Sequence, residues 1–148
     1  CLVGSEMCIE TDQKTKSGAV ENADFLDSIY KIPGGGWLSS ADDMARFEVA
    51  ILSNKLMKPA TRDLMWTPLK PAEGKPNGYA PLVNATEDGI RYVGHSGGQQ
   101  GTSTDFLIVP EQRAGVVVLT NMEEINPNQL SKEILKILLG TTGDAEKK

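Results

Sequence analysis

A β-hairpin is the strongest structural signal in this chain of 148 residues. Residues 103–109 and 115–121 are rich in aliphatic and β-branched side chains, and the turn between them, residues 110–114, begins with proline. Residues 116–119 form an unbroken apolar run, which predicts a strand that is covered on both faces. We therefore expect this strand to lie in the centre of an antiparallel sheet.

Two more strands are predicted before the hairpin, at residues 79–83 and 90–94, and a helix is predicted after it. Asn126 and Pro127 provide the cap and the early proline of a helix start, and Gly140 is placed to end the helix. Such a helix needs a surface on which to bury its apolar face, and the sheet supplies that surface. The apolar face contains Leu130, Ile134, Ile137 and Leu138.

One or two further helices are predicted upstream of these strands. Ser40 followed by Asp43 matches a helix cap, and Asp42 is expected to pair with Arg46 on the exposed side. A second, shorter helix is expected over residues 59–66. The apolar face of the first helix contains Met44, Phe47 and Ile51. The whole pattern predicts an α+β fold, with an antiparallel sheet of three or more strands and a C-terminal helix packed on it.

Composition excludes several classes of partner. The 20 acidic residues outnumber the 15 basic ones, and no basic run is longer than two residues, so we expect no nucleic acid to bind. The longest apolar stretches are far shorter than the roughly 20 residues that span a bilayer. A single histidine and two cysteines seven positions apart, Cys1 and Cys8, match no zinc pattern or disulfide framework. We expect no metal and no cofactor.

His95, the single histidine, is followed by Ser96, Gly97 and Gly98 directly after the strand predicted at residues 90–94. Glycines at the end of a strand let a ligand approach backbone N–H groups, and each such donor stabilises a developing oxyanion by about 3 kcal/mol. On these four residues alone, a glycine-rich turn with an incidental histidine is the favoured interpretation, because short motifs often match by chance.

A wider set of segments, in a fixed order along the chain, favours a functional interpretation. They are residues 33–47 with their triple glycine, Met65-Trp66-Thr67-Pro68, Gly94-His95-Ser96-Gly97-Gly98, and residues 115–121. In this order they resemble the β-lactamase-like serine hydrolases, a family of class C β-lactamases, penicillin-binding proteins, D-aminopeptidases and related esterases. The resemblance implies a partial β-lactamase-like domain over residues 18–140, in which the upstream helices come from the helical subdomain. Residues 1–17 remain unassigned as loop, and residues 141–148 are expected to be a disordered tail.

The resemblance also implies roles for the histidine motif. In that family a Lys-Thr-Gly or His-x-Gly motif lies on the strand at the edge of the cleft, and His95-Ser96-Gly97 is similar to it. The backbone N–H of Gly98 would then donate to the oxyanion, while His95 and Ser96 would contact the substrate or the general-base network. The implied reaction forms an acyl-enzyme on an amide or ester, such as a β-lactam, a D-amino-acid peptide or a small ester.

The family's nucleophile, a serine followed by a lysine one helical turn later, has no convincing match here. Ser28 and Lys31 have the required spacing, but Pro33 and the three glycines after it prevent a helix from continuing. Neither Tyr-x-Asn nor Ser-x-Asn, the family's remaining motif, occurs in the sequence. We therefore expect Ser28 to be a structural or surface residue, and the chain to be the C-terminal part of a hydrolase and inactive alone.

Other hypotheses remain open. The chain is alternatively a non-catalytic binding or assembly module that keeps half of the fold, because missing neighbours would leave a sheet edge and apolar helix faces open. Its partner would then be a second copy or a complementing N-terminal half. A third hypothesis is that the resemblance reflects the fold alone, since one fold serves unrelated functions.

Overall fold

The computed structural model describes residues 12–24, 37–67, 83–87 and 89–141, and for residues 83–87 it describes the backbone only. Several predictions fall outside the described residues. They are those on Cys1 and Cys8, on Ser28 and Lys31, on the triple glycine, on residues 79–82 and on the tail beyond Thr141.

The described residues form two antiparallel sheets and three helices. Strands β1 (Asp12–Lys14) and β2 (Val20–Asn22) make a two-stranded sheet, in a region that the sequence pattern did not assign to strands. The larger sheet has the order β3-β4-β5-β6, with antiparallel neighbours throughout. Its strands are β3 (Val83–Glu87), β4 (Ile90–Gln99), β5 (Thr102–Val109) and β6 (Ala114–Thr120). The helices are α1 (Ala41–Leu52), α2 (Pro59–Met65) and α3 (Pro127–Leu138), so the predicted α+β fold is confirmed.

Helices cover both faces of the larger sheet. Because side chains alternate along a strand, neighbouring residues such as Leu107 and Ile108 enter different cores. Leu135 of α3 is fully buried in the first core, and Ile51 and Leu52 of α1 lie in the second. The first core also contains Tyr92, Leu107, Val109, Val116 and Val118, and the second contains Trp66, Val93 and Ile108.

The prediction for β6 was half right. Val116 and Val118 pack in the core with α3, and Gly115 lies against Glu48 of α1, so the strand is covered on both faces as expected. Among the described strands, however, β6 lies at the edge of the sheet and not in its centre. An apolar run reports what covers the faces of a strand, and it carries no information on hydrogen-bonded neighbours.

The helix caps were predicted correctly. The Ser40 side chain accepts a hydrogen bond from the backbone N–H of Asp43 at 3.1 Å, and Asn126 accepts one from Gln129 at 3.2 Å. Each cap satisfies a donor that the first helical turn would otherwise leave free. Gly140 follows α3 with a φ of 68°, the left-handed conformation that ends many helices.

The predicted apolar face of α3 was largely wrong. Leu130, Ile137 and Leu138 are 41%, 66% and 63% exposed, whereas Ser131 and Leu135 are fully buried. Ile134 is the one predicted member that packs against the core. The helix therefore presents to the sheet a stripe with a spacing of four residues, Pro127, Ser131 and Leu135.

The predicted faces of α1 also need correction. Arg46 pairs with Asp43 at 2.8 Å and not with Asp42. Phe47 is 44% exposed, and the adjacent Glu48 is buried against the sheet. Ile51, another predicted member of the apolar face, is buried as expected, so the predicted face is correct in part.

Candidate functional site

The segment from His95 to Gly98 lies in the second half of β4. Tyr92, Val93 and Gly94 are buried, and from His95 onwards the strand becomes exposed. The strand was predicted to end at Gly94, but it continues to Gln99. The local interpretation of a glycine-rich turn is therefore wrong: the turn follows at Gln100 and Gly101, where Gly101 has a φ of 72°.

Strand pairing differs on the two sides of this segment. β5 pairs with β4 as far as Gln99, which lies opposite Thr102. β3 pairs with β4 only between Ile90 and Gly94. Among the described strands, the residues from His95 to Gln99 therefore have a neighbour on one side only, and one row of their backbone N–H and C=O groups points away from β5.

One face of this exposed segment turns towards α1. His95 lies opposite Phe106 on β5, and Gly97 lies opposite Thr104. The Phe106 ring packs against the Phe47 ring of α1, with centroids 5.8 Å apart and planes tilted by 44°. The residue opposite His95 therefore contacts α1 through an aromatic pair.

The other face turns towards α3. Ser96 lies opposite Asp105, which is only 2% exposed, and Gly98 lies opposite Ser103. The Asn128 side-chain amide, in the first turn of α3, donates to the Asp105 carboxyl group at 3.3 Å. A buried carboxyl group on the neighbouring strand, opposite Ser96, therefore contacts the helix.

Glu48 is a buried acid that the sequence analysis missed. Its side chain lies against Gly115 on the face of the sheet that α1 covers, and burial raises the pKa of its carboxyl group to about 7. Its Oε1 atom has no hydrogen-bond partner among the described residues. The signal that could have revealed it is Gly115 itself, because a glycine inside an apolar strand often marks a close approach.

The described residues offer no group of three or more histidine, cysteine, aspartate or glutamate side chains that could hold a metal ion. In the same part of the chain, no helix is long and apolar enough to cross a membrane. Within the motif itself, the chemical groups are one imidazole, one hydroxyl group and a row of backbone amides.

Comparison with known sequences gives a consistent result. Residues 8–140 match the profile of the family described as Beta-lactamase. The human serine beta-lactamase-like protein LACTB, mitochondrial, is 27% identical over 159 aligned positions, which cover 80% of this chain and 29% of that protein. Penicillin-binding protein 4* of Bacillus subtilis is 28% identical over 109 positions, which cover 71% of this chain and 24% of the relative. The chain thus spans less than a third of the length of these relatives.

Solved structures with the same fold include a penicillin-binding protein homologue and an amidohydrolase. The octameric penicillin-binding protein homologue from Pyrococcus abyssi superposes with a TM-score of 0.74 and 25% identity, over 88% of this chain and 30% of that one. A D-stereospecific amidohydrolase from Streptomyces sp. superposes with a TM-score of 0.64 and 22% identity, over 86% and 39% of the two chains. The second likeness concerns the fold alone.

Proposed function

We propose a function for this chain on the ground that it belongs to the beta-lactamase family. It forms one wall of the active site of a serine hydrolase, which cleaves amides or esters through an acyl-enzyme. The family relationship establishes the serine hydrolase superfamily, and the reaction and the residue roles are our proposal. The observation that carries it is the exposed segment from His95 to Gly98, which among the described strands pairs with β5 alone. Such an edge offers backbone donors to a bound substrate.

The pairing of β4 with β5 supports Gly98 as an oxyanion donor. In a hairpin with a two-residue turn, the residues that flank the turn form a hydrogen-bonded pair, and such pairs alternate along the strands. Counting back from Gln99 and Thr102, Gly98 and Ser96 fall on pairs whose backbone groups point away from β5. The Gly98 N–H is then directed towards the open side, where an oxyanion can accept from it.

His95 has the exposure and chemistry for a role in proton transfer or substrate binding. Its imidazole is the only one in the sequence, and a neutral imidazole both donates and accepts a hydrogen bond. We assign His95 and Ser96 to contacts with the substrate or with the general base.

We place the nucleophile in polypeptide upstream of Cys1. The relatives are more than three times as long as the region that they share with this chain. Ser28 and Lys31, which have the spacing of the nucleophile motif, lie outside the described residues. Our sequence-based interpretation of Ser28 as structural therefore remains a prediction. On this proposal, the chain by itself does not turn over substrate.

The substrate class is proposed at the level that the relatives support. Their names include a penicillin-binding protein and a serine beta-lactamase-like protein. We accordingly propose β-lactams, D-amino-acid peptides or small esters as substrates.

A kinetic comparison tests the proposal in the protein that contains this chain together with its upstream sequence. Replacing His95 by alanine should lower kcat/KM for a p-nitrophenyl ester by about 100-fold or more. The control is Glu111→Gln, an exposed carboxylate in the turn at the other end of β5. Unchanged turnover in His95→Ala would contradict the assignment.

An assembly role is the second candidate. Ile137 and Leu138 of α3 are mostly exposed, β6 is an edge strand among those described, and one relative of the same fold is octameric. A second copy or a complementing N-terminal half would cover such surfaces. Light scattering of the isolated chain distinguishes the cases: a concentration-dependent dimer supports a self-associating module, and a compact monomer at high concentration contradicts it.

A further inference from the structure

A row of three paired residues crosses the sheet, and Gly98, the proposed oxyanion donor, is its first member. Gly98 of β4 lies opposite Ser103 of β5, and Ser103 lies opposite Thr120 of β6. Cross-strand partners share one face of a sheet, so all three are on the face that α3 covers. Ser103 is the central member of the row, and it is 7% exposed.

The two hydroxyl groups of this row form a compact hydrogen-bond network. The Oγ atom of Ser103 lies 2.9 Å from Oγ1 of Thr120 and 2.8 Å from the carbonyl oxygen of Met122. Thr120 Oγ1 in turn lies 2.8 Å from the Ser103 carbonyl oxygen. Each hydroxyl supplies one hydrogen and two acceptor sites, so the pair satisfies itself and at least one loop carbonyl. Buried networks of this kind fix the relative positions of the segments they join.

The network continues into the loop between β6 and α3. Ser103 Oγ also lies 3.2 Å from the carbonyl oxygen of Ile125, and the Glu123 carboxylate accepts from the backbone N–H of Gly101 at 3.3 Å. Gly101 is in the turn that joins β4 to β5. The loop is therefore attached to the hairpin of β4 and β5 at two points. One is Gly101 at the tip of the hairpin, and the other is Ser103, opposite Gly98.

Such an attachment matters most for a backbone donor. A side chain can adjust its rotamer to a substrate, but a backbone N–H moves only with its strand. The segment that contains Gly98 has one described neighbouring strand, so β5 largely determines its position. An oxyanion donor has to be held within about 0.5 Å of its productive position.

We propose that Ser103 is a positioning residue for the Gly98 amide, and that its hydroxyl acts together with Thr120 by fixing β5 to the loop that follows β6. The importance of this position for oxyanion binding rests on the proposed function. The mechanical part of the proposal does not, since it concerns the order of a strand in the chain itself.

Amide ¹⁵N relaxation of the isolated chain tests the proposal without any need for turnover. We expect the Gly98 amide to have an order parameter near the value of about 0.85 for rigid backbone, and Ser103→Ala to lower it below about 0.7. Thr120→Val, which keeps the shape of the side chain but removes its hydroxyl, should have the same effect. Thr120→Ser, which keeps the hydroxyl, should restore the order of the wild type.

The matched control is Ser53→Ala. The Ser53 hydroxyl donates to the carbonyl of Val49 at 2.6 Å at the end of α1, so this variant also loses a side chain to backbone hydrogen bond. Its Gly98 order parameter should equal that of the wild type even if its Tm falls. An unchanged Gly98 order parameter in both Ser103→Ala and Thr120→Val would overturn the proposal. A failure of the His95 kinetic test would leave this result unaffected, so the two proposals can be separated.

Discussion

Glu48 and Gly115 face each other across the interface between α1 and β6, and the carboxyl group fills the space that a side chain on Gly115 would need. A Cβ atom built on Gly115 would lie 2.6 Å from Oε2 of Glu48 and 2.8 Å from its Cδ atom. The acid is buried, with desolvation as the cause of its raised pKa. The Glu48 carboxyl group therefore fits against the sheet at this position because residue 115 has no side chain.

Replacing Gly115 by alanine should destabilise the fold. The new methyl group displaces the Glu48 carboxyl group or separates α1 from β6, and overpacking of this kind costs about 1–3 kcal/mol. Urea unfolding measures the change. Gly98→Ala is the control for stability, because a Cβ there meets nothing closer than the Thr102 carbonyl oxygen at 3.8 Å. Equal effects of the two variants would show that the contact with Glu48 is unimportant.

Stability should fall as the pH rises from 5 to 8. The folded-state pKa of Glu48 is raised from 4.5 to about 7, so its stabilising contribution is complete below the ordinary pKa and is lost as the pH passes through about 7. The loss amounts to at most about 3 kcal/mol. Glu48→Gln, which mimics the protonated acid, should differ least from the wild type in stability at pH 5 and should exceed it most at pH 8. A constant difference between the two proteins across this range would exclude Glu48 as the titrating group.

Removing the Asn128 amide should leave the buried Asp105 carboxyl group without its donor. Asn128→Ala is expected to lower the free energy of unfolding by about 1–3 kcal/mol, the usual cost of an unsatisfied buried group. Asp12→Ala is the matched control, since Asp12 accepts from Asn121 at 3.1 Å in an exposed pair and should cost less than about 0.5 kcal/mol. Thermal unfolding of the two variants at one pH compares them directly, and an Asn128→Ala variant as stable as the wild type would contradict the role of this contact.

Replacing Ser131 by alanine should make the chain more stable. The Ser131 hydroxyl is fully buried on α3 and has no hydrogen-bond partner among the described residues. Alanine removes this unsatisfied group and has the higher helix propensity, so we expect a gain of about 0.5–1.5 kcal/mol. The measurement is the urea midpoint at constant m-value. A loss of stability would indicate that the hydroxyl has a partner in solution.

The sequence was sufficient for local structure and less so for tertiary structure. The caps at Ser40 and Asn126 depend on residues three positions away, and the hairpin depends on a short turn, so both could be predicted. The face that α3 presents depends on the shape of the sheet. The exposure of Ile137 and the burial of Ser131 could therefore not be predicted from the sequence. Glu48 was missed for the same reason, because its burial depends on Gly115, which is 67 positions away in sequence.

The secondary structure around the candidate site was predicted only in part, and the roles of its residues remain a prediction. His95, Ser96, Gly97 and Gly98 were identified as a set, but β4 was expected to end at Gly94. Glycines suggest a turn when they are considered locally, and only the pairing with β5 shows them to be strand residues. The hydrogen-bond networks at Ser103 and Asp105 lie on the neighbouring strand β5, and nothing in the sequence of the motif indicated them.

Intact mass analysis after treatment with a fluorophosphonate tests the proposed division of the active site most directly. Two proteins are compared, this chain alone and the chain extended by its upstream coding sequence. The proposed function predicts an adduct on the extended protein only, at a serine that precedes a lysine by three positions on a helix. An adduct at Ser28 of the isolated chain would contradict it.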